Sequence, residues 1–258
     1  MNIALKLAYD GTNYHGWQIQ NNGATIQQTL TEALQKLLGE KLYVSGVGRT
    51  DAGVHARRYV ANFKAVHCSV PLDRLPLAVN AFLPEDIAVY AAAEVPAAFD
   101  ARFDCIKKEY AYYLYPSKLK EPFLSRRSYR FPYTLDIDAM QQGAQHFVGK
   151  QDFAAVRAMG TPVKSTVRTI YHCQAEPWED GLVRIRVCAD GFLYNMVRAI
   201  AGTLTYVGTG KLHPDAVRTI LDSKDRAAAG PTLPPQGLFM HRLWYDTPAL
   251  AAFDLAAD

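Results

Sequence analysis

Residues 46–56 read Gly46-Val47-Gly48-Arg49-Thr50-Asp51-Ala52-Gly53-Val54-His55-Ala56. Strand-like segments, 41–44 and 59–66, lie on either side of this loop. The connection is longer than the about two to five residues that join a plain hairpin, and its glycines permit positive φ and close backbone approach. It holds one cation, Arg49, and one carboxylate, Asp51. The pattern indicates either a glycine-rich turn with a local ion pair or a functional loop.

The loop does not match two common phosphate-binding motifs. It lacks the Gly-Lys-Ser/Thr ending of a P-loop. It also departs from the Gly-x-Gly-x-x-Gly dinucleotide fingerprint, and no helix pattern follows it.

The segments around the loop alternate between strand and helix periodicity. A strand pattern at 3–9 precedes a helix pattern that starts with a capping box at Thr25 and ends at Gly39. After the loop come a helix pattern over 73–82 and a strand pattern over 87–95. The order β-α-β-β-α-β predicts a ferredoxin-like unit, which RNA-recognition modules also use.

The second half repeats this order with one helix added. Its patterns are a strand at 107–115, a helix at 136–148, a hairpin of 166–176 and 182–189 turned at Glu179-Asp180-Gly181, helices at about 192–207 and 214–221, and a strand at 238–245. The predicted fold class is therefore α+β, with two ferredoxin-like (RRM-like) units as domains 1–104 and 105–258. Two such units would place a cleft between their sheets.

Two segments are predicted to be exposed or mobile. Segment 223–237 is rich in Ala, Pro and Gly and indicates a long loop. Segment 117–133 is basic, with aromatic residues between its charges: Lys118, Lys120, Arg126, Arg127 and Arg130 stand against Glu121, interleaved with Phe123, Tyr129 and Phe131.

Composition indicates a soluble globular protein, and the cysteine spacing does not indicate a zinc site. The 258 residues are 49% hydrophobic and 21% charged, with a formal net charge of +3, so a nucleic-acid partner would need clustered cations. The four cysteines, at 68, 105, 173 and 188, lack zinc-site spacing and indicate free thiols in a reducing compartment. No secretory segment or apolar run of ~18 residues is present, so we expect a cytoplasmic protein without membrane contact.

The loop resembles the signature of the TruA family of tRNA pseudouridine synthases. Further motifs resemble the family in the same order along the chain: Tyr9-Asp10-Gly11-Thr12-Asn13-Tyr14-His15-Gly16-Trp17-Gln18, Asn80-Ala81-Phe82-Leu83-Pro84-Glu85-Asp86-Ile87, Phe99-Asp100-Ala101-Arg102-Phe103, Lys107-Lys108-Glu109-Tyr110-Ala111-Tyr112, Asn195-Met196-Val197-Arg198 and Gly237-Leu238. The resemblance covers nearly the whole chain. It implies the pseudouridine synthase fold, two similar α/β domains with the catalytic cleft between them.

The implied reaction gives Asp51 a chemical role. Isomerising uridine to pseudouridine breaks an N–C glycosidic bond and forms a C–C bond to the same base. A carboxylate suits the capture of an electron-poor intermediate, as in retaining glycosidases. The resemblance assigns that role to Asp51, acting on a uridine flipped out of the RNA stack. The sequence leaves open whether the carboxylate attacks the sugar or the base.

The resemblance also assigns roles to two further residues, Arg198 and Tyr110. Arg198, in an otherwise apolar helix, would pair with the carboxylate and keep it ionised. Without the family, Arg198 would be an arginine whose stem packs while its head reaches water. Tyr110 is implied to stack on the target base and to take part in proton transfer from C5, with a sheet-core tyrosine as the competing interpretation. Beside it, Glu109 stands where a basic residue is common in the family.

Cations of the loops are predicted to contact RNA. Arg49 is implied to touch backbone phosphate or to fill the gap left by the extruded base, and a salt bridge to Asp51 is the simpler interpretation. His55 is predicted to be a structural hydrogen-bonding residue. The remaining phosphate-contact candidates are the 118–130 cluster, Arg57-Arg58 and Lys107-Lys108.

The resemblance implies uridines of the tRNA anticodon stem-loop as targets, a homodimer in which one tRNA contacts both subunits, and chemistry without a metal or organic cofactor. Two alternatives come from other classes of protein. One is a non-catalytic RNA-binding protein of two RRM-like halves, although no RNP1 pattern is present. The other is a glycoside or nucleoside hydrolase with paired carboxylates.

Overall fold

The computed structural model describes residues 1–158, 160 and 163–256. Its α-helices and strands are, in chain order, β1 Asn2–Tyr9, α1 Ile26–Leu38, β2 Val44–Gly46, β3 His55–Lys64, α2 Leu75–Asn80, β4 Ile87–Val95, β5 Cys105–Pro116, β6 Tyr129–Phe131, α3 Ile137–Gln145, β7 Gly149–Asp152, β8 Val167–Pro177, β9 Val183–Ala189, α4 Met196–Gly208, α5 Ala216–Ser223 and β10 Leu238–Tyr245. Within these residues, no helix is both long and apolar enough to cross a membrane.

The chain forms two compact units, one of Met1–Ile106 with the segment from Phe239 onward, and one of Lys107–Leu238. In the first unit, β1 pairs antiparallel with β4 on one side and with β3 on the other, and β2 adds to β3. Because β3 lies between β1 and β2, helix α1 joins two strands that do not touch. This split β-α-β arrangement is the ferredoxin-like one, so the predicted element order is confirmed.

The last strand differs from the predicted domains 1–104 and 105–258. Strand β10 pairs in parallel with β3, placing Phe239 opposite His55 and Met240 opposite Ala56. The end of the chain therefore belongs with the first unit. An alternating pattern predicts a strand but does not show which strand it pairs with. The prediction therefore placed this strand in the second domain because it follows that domain in sequence.

The second unit has the strand order β5-β9-β8-β7, with antiparallel pairs throughout, and β6 runs parallel to the end of β5. The predicted hairpin turn is present at Glu179–Gly181, where Asp180 and Gly181 have positive φ. Strands β6 and β7, of three and four residues, were missed because runs that short show no clear period.

Both ends of α1 follow from its sequence. The Thr25 hydroxyl accepts a hydrogen bond from the Gln28 amide at 3.3 Å, which confirms the predicted N-cap. Gly39 ends the helix with φ of 71°, the left-handed conformation that glycine adopts most easily. Helix α4 starts later than predicted, at Met196, because Asn195 before it has φ of 58°.

Candidate active site

Two motifs that lie far apart in sequence form one structure around Asp51. The Trp17 amide donates to the Thr50 carbonyl at 3.1 Å, and the Gly53 amide donates to the Tyr14 carbonyl at 3.2 Å. These bonds attach the Gly46–Ala56 loop to the opening segment 9–17 on both sides of Asp51. Backbone groups that are paired in this way leave the loop little freedom to move.

Glycines are needed where the two backbones meet. A Cβ on Gly16 would lie 2.3 Å from the Thr50 carbonyl oxygen, and φ of Gly16 is +84°. A Cβ on Gly11 would lie 2.0 Å from the Val54 carbonyl oxygen. Since both obstacles are backbone atoms, no side-chain rotation relieves them. These glycines allow the opening segment to approach the loop closely.

A tight turn fixes Asp51 itself. The Val54 amide donates to the Asp51 carbonyl at 3.1 Å, and Gly53, the third residue of the turn, has φ of +77°. A positive φ at this position is what a type II turn requires. The Asp51 side chain is half-buried, whereas Arg49, two residues earlier, is exposed.

A cluster of aromatic side chains packs against the Asp51 loop. The rings of Trp17 and Tyr59 stack with centroids 4.2 Å apart, and Tyr9 lies 5.5 Å from Tyr59. Two hydroxyls reach the loop: Tyr59 donates to the Gly48 carbonyl at 2.6 Å, and Tyr9 bonds to the Thr50 hydroxyl at 2.9 Å. Burial raises the pKa of Tyr9, so its hydroxyl stays protonated for this bond.

His55 serves packing and hydrogen bonding. Its ring is 1% exposed and stacks on Phe239 at 4.5 Å. The Nδ1 atom lies 3.1 Å from both the Gly11 amide nitrogen and an Asp10 carboxylate oxygen. A backbone N–H can only donate, so Nδ1 accepts the hydrogen bond from Gly11. In the neutral ring the proton is therefore on Nε2, and Nδ1 has no hydrogen to donate to the Asp10 carboxylate. These contacts agree with the structural role predicted for His55.

The motif at 80–87 closes the other side of the opening segment. The Tyr14 hydroxyl donates to the Asp86 carboxylate at 2.5 Å, and the Asp10 amide donates to the Asp86 carbonyl at 2.9 Å. Burial, together with the Asp86 carboxylate, raises the pKa of Tyr14. Three of the motifs therefore meet at the segment that holds the Asp51 loop, a convergence that the sequence did not reveal.

The Phe99–Phe103 motif is anchored by a buried amide. Asn62 accepts from the Ala101 amide at 2.9 Å and donates to the Phe99 carbonyl at 3.2 Å. The Tyr245 hydroxyl, from β10, donates to the Ala101 carbonyl at 2.6 Å. These contacts give the motif a structural role in the first unit, since they hold the backbone of Phe99 and Ala101 in place.

Tyr110 lies in β5 opposite Val187 of β9. It is 8% exposed, and its ring meets Phe192 edge-on with centroids 5.0 Å apart. The neighbouring Glu109 points to the opposite face of the sheet, because side chains alternate along a strand. There the Glu109 carboxylate, 0% exposed, lies 2.5 Å from His172 Nε2 and 3.7 Å from Arg186 Nη1. This buried charge cluster was not predicted, because the sequence does not show which strands pair and so which side chains meet.

Arg198 is held by two acceptors of its own unit. Its Nε donates to the Leu233 carbonyl at 2.6 Å, and Nη1 donates to the Asn195 side chain at 2.7 Å. The guanidinium is thus fixed by hydrogen bonds, unlike the water-exposed head that helix pattern alone suggested. The Leu233 amide also donates to the Arg198 carbonyl, at 3.3 Å.

The loop that carries Leu233 is packed onto α4. A Cβ on Gly202 would lie 1.8 Å from the Pro231 carbonyl oxygen, and the Gly230 amide donates to the Thr203 hydroxyl at 3.0 Å. Arg226 donates to the Gly230 carbonyl at 2.8 Å. Segment 223–237 is therefore tied to the helix that bears Arg198, whereas sequence composition indicated an exposed or mobile loop.

The predicted site residues fall into two pairs. Arg49 and Asp51 share one loop of the first unit, and Tyr110 and Arg198 belong to the second unit. The pairing of Asp51 with Arg198 stays a prediction. Among residues 1–158, 160 and 163–256, no group of three or more His, Cys, Asp or Glu side chains is arranged to hold a metal ion.

Some of the residues predicted to contact phosphate interact with other parts of the protein. Arg58 donates to the Asp254 carbonyl at 3.1 Å and to the His241 carbonyl at 3.4 Å, so it fastens the end of the chain. Arg57 is exposed, with its guanidinium 5.7 Å from the Phe239 ring centre. The cations at 118, 120, 126, 127 and 130 are all exposed.

Comparison with known proteins identifies the family. A family model described as tRNA pseudouridine synthase matches residues 6–104 and 144–246. Proteins named tRNA pseudouridine synthase A are similar over most of the chain: 44% identity over 244 residues with that of Thermoanaerobacter sp. (strain X514), covering 95% of this chain and 99% of the relative; 45% over 239 residues with that of Caldicellulosiruptor bescii, covering 93% and 97%; and 46% over 244 residues with that of Geotalea daltonii, covering 95% and 99%. The chain belongs to the tRNA pseudouridine synthase family.

Proposed function

We propose that this member of the tRNA pseudouridine synthase family isomerises uridine to pseudouridine in the anticodon arm of tRNA, with Asp51 as the reacting carboxylate. The observation that carries the proposal is the attachment of the Asp51 loop to segment 9–17 on both sides of the carboxylate. A reactive group on a rigid support is already oriented, so little entropy is lost when the target nucleotide arrives.

The reaction is balanced without a co-reactant. The bond from C1′ of the ribose to N1 of uracil breaks, and a bond from C1′ to C5 forms. The hydrogen on C5 leaves and N1 gains one, so nothing is oxidised or reduced. Asp51 bonds transiently either to C1′ or to the base, and this bond breaks again before the product leaves, so the carboxylate is regenerated.

Three further side chains are assigned by the same proposal. Tyr110 stacks on the extruded uracil and helps to remove the C5 proton, which suits a ring already held edge-on by Phe192. Arg198 pairs with the Asp51 carboxylate and favours its ionised form. Arg49, exposed on the same loop as Asp51, contacts phosphate or occupies the gap left by the base.

The tRNA is bound by exposed cations, chiefly those of the 118–130 cluster, which supply the sequence-independent part of the affinity. The protein acts as a homodimer in the cytoplasm, with one tRNA touching both subunits. The family resemblance supports the dimer, and sedimentation with and without tRNA tests it.

The main experiment maps pseudouridine in unmodified tRNA transcripts after incubation with wild type, Asp51→Ala, Asp51→Asn and Asp73→Ala. Asp73 is a surface carboxylate, 76% exposed, and controls for loss of one negative charge. We expect pseudouridine in the anticodon arm with wild type and Asp73→Ala, and none with either Asp51 variant although tRNA still binds.

Two results would reject the proposal. Binding of tRNA without any pseudouridine from wild type would favour the non-catalytic RNA-binding alternative. Release of free uracil would favour a hydrolase.

A further inference from the structure

Residues 117–131 form a closed loop, named here the basic loop. Its ends meet where the Ser117 amide donates to the Phe131 carbonyl at 3.1 Å. At its end, β6 pairs in parallel with β5, which brings Tyr129 opposite Leu114. Compact surface loops of this size with joined ends are frequently functional.

Internal hydrogen bonds give the basic loop a defined shape. The Leu124 amide donates to the Glu121 carbonyl at 3.2 Å, and the Ser128 hydroxyl donates to the Leu124 carbonyl at 2.9 Å. The Glu121 carboxylate accepts from the Phe123 amide at 3.1 Å. The single carboxylate of the loop is therefore engaged in holding its backbone.

A cavity of about 490 Å³ lies under the basic loop. Its walls are mostly apolar and include the rings of Tyr115 and Tyr129 and the side chain of Leu124. Lys120 and Arg130, both exposed, also line it. A volume of this order is typical of small-molecule sites.

The chemistry of the lining selects the occupant. The rings of Tyr115 and Tyr129 suit a flat ring, and Lys120 and Arg130, against the one lining carboxylate of Glu121, suit an anion. A nucleotide combines a flat base with a phosphate. An RNA strand supplies such groups in series, with each phosphate able to meet the exposed cations while one base enters.

We propose that this cavity takes an unstacked nucleotide of the bound RNA, a second one in addition to the uridine that reacts. The proposal rests on the proposed function for its choice of RNA. The base lies against Tyr129, and Lys120 and Arg130 meet its phosphate. The site thereby adds affinity for RNA with an unpaired nucleotide, independently of Asp51.

The test measures the dissociation constant of an unstructured RNA nonamer, and of AMP and UMP, for wild type and two loop variants. Tyr129→Leu keeps an apolar wall but removes the stacking ring, and we expect its dissociation constant for the nonamer to rise at least about fivefold, from the usual contribution of base stacking. Phe123→Leu is the matched control, because Phe123 is 90% exposed on the same loop and does not line the cavity. Its dissociation constant should stay within about twofold of wild type.

A photocrosslink locates the base. With 4-thiouridine in the nonamer, we expect crosslinked peptides to contain Tyr115 or Tyr129. Equal affinity of wild type and Tyr129→Leu, or a crosslink confined to Phe123, would overturn the proposal. Tight binding of AMP or UMP with no gain from the nonamer would identify free nucleotides as the ligand and overturn the RNA assignment. Because pseudouridine mapping is done separately, failure of the cavity and failure of the proposed function are distinguishable.

Discussion

Gly16 and Thr50 pack backbone against backbone, so that a Cβ on Gly16 would lie 2.3 Å from the Thr50 carbonyl oxygen. This contact connects the opening motif to the loop that carries Asp51. It makes the position of the carboxylate depend on a residue more than thirty positions away in sequence.

Replacing Gly16 with alanine should displace the Asp51 loop. The new Cβ meets a backbone atom, and φ of +84° adds the usual strain of about 1–2 kcal/mol. We expect pseudouridine formation to fall more than tenfold while tRNA binding changes little. The matched control is Gly39→Ala, because Gly39 has φ of +71° with nothing within 4 Å of its Cβ position. Equal activity of the two variants would show that the contact with Thr50 does not position the loop.

Changing Arg198 to lysine should reduce activity although the charge is kept. An ammonium group is a point charge and cannot reproduce the forked bonds to the Leu233 carbonyl and the Asn195 side chain. We expect a loss of about 1–3 kcal/mol in stability or in transition-state binding, since an acceptor is left unsatisfied. Melting temperature and kcat/KM measure the two effects.

The control for Arg198→Lys is Arg218→Lys, at a surface pair with Asp222 in which both side chains are about 60% exposed. Such pairs contribute little, so this variant should match wild type. If neither substitution changed the melting temperature or kcat/KM, the fixed geometry of Arg198 would not be needed for stability or activity.

Two of the helix glycines, Gly143 and Gly202, should respond differently to alanine. A glycine inside a helix is normally less stable than alanine by about 1 kcal/mol. Gly143→Ala in α3 should therefore be neutral or stabilising, because its Cβ would make ordinary contact at 3.4 Å with Val207. Gly202→Ala in α4 should destabilise, because its Cβ would lie 1.8 Å from the Pro231 carbonyl. Denaturant unfolding of both variants checks the sign, and a more stable Gly202→Ala protein would show that segment 223–237 is not held against α4.

Stability should fall as the solution becomes alkaline. Burial raises the pKa of Cys173 to about 12 and also raises the pKa values of Tyr9 and Tyr112 above the ordinary value. In the unfolded chain these groups ionise at pKa values of about 8.5 for Cys and 10 for Tyr. Between the unfolded and folded values the unfolded state binds fewer protons, so the free energy of unfolding decreases as pH rises.

Urea unfolding between pH 7 and 11 measures this loss, which should begin near pH 8.5 and steepen above pH 10. Absorbance at 295 nm should show that part of the tyrosine ionises only as the protein unfolds. A free energy of unfolding that is flat or rises over this range would contradict the burial of these hydroxyl and thiol groups.

Affinity for tRNA should depend strongly on salt. Each phosphate neutralised by a lysine or arginine adds about 0.7–0.9 to the slope of log K against log salt concentration. Removing one exposed cation of the basic loop, as in Arg126→Ala, should lower the slope by about 1 and weaken binding for all tRNAs alike. An affinity that is the same at low and moderate salt would exclude the 118–130 cluster from RNA binding.

Several features of the fold could be predicted because they depend on local pattern. The capping residue Thr25 and the terminating Gly39 set the limits of α1, and the turn at Glu179–Gly181 set the hairpin. The order of helices and strands from β1 to β4 followed from periodicity and capping residues. Strands β6 and β7 were too short to show a period, and β10 could not be assigned a neighbour.

The sequence by itself determined the order of elements from β1 to β4, the motif that contains Asp51 and the family to which the chain belongs. Only the tertiary structure decided that segments 9–17, 46–56 and 80–87 form one support, that Arg198 is fixed by the Leu233 carbonyl, and that Glu109 lies in a buried charge cluster. The physical reason is that periodicity and capping involve neighbours within a few residues, whereas these contacts join backbone and side-chain groups that only chain folding brings within hydrogen-bond distance.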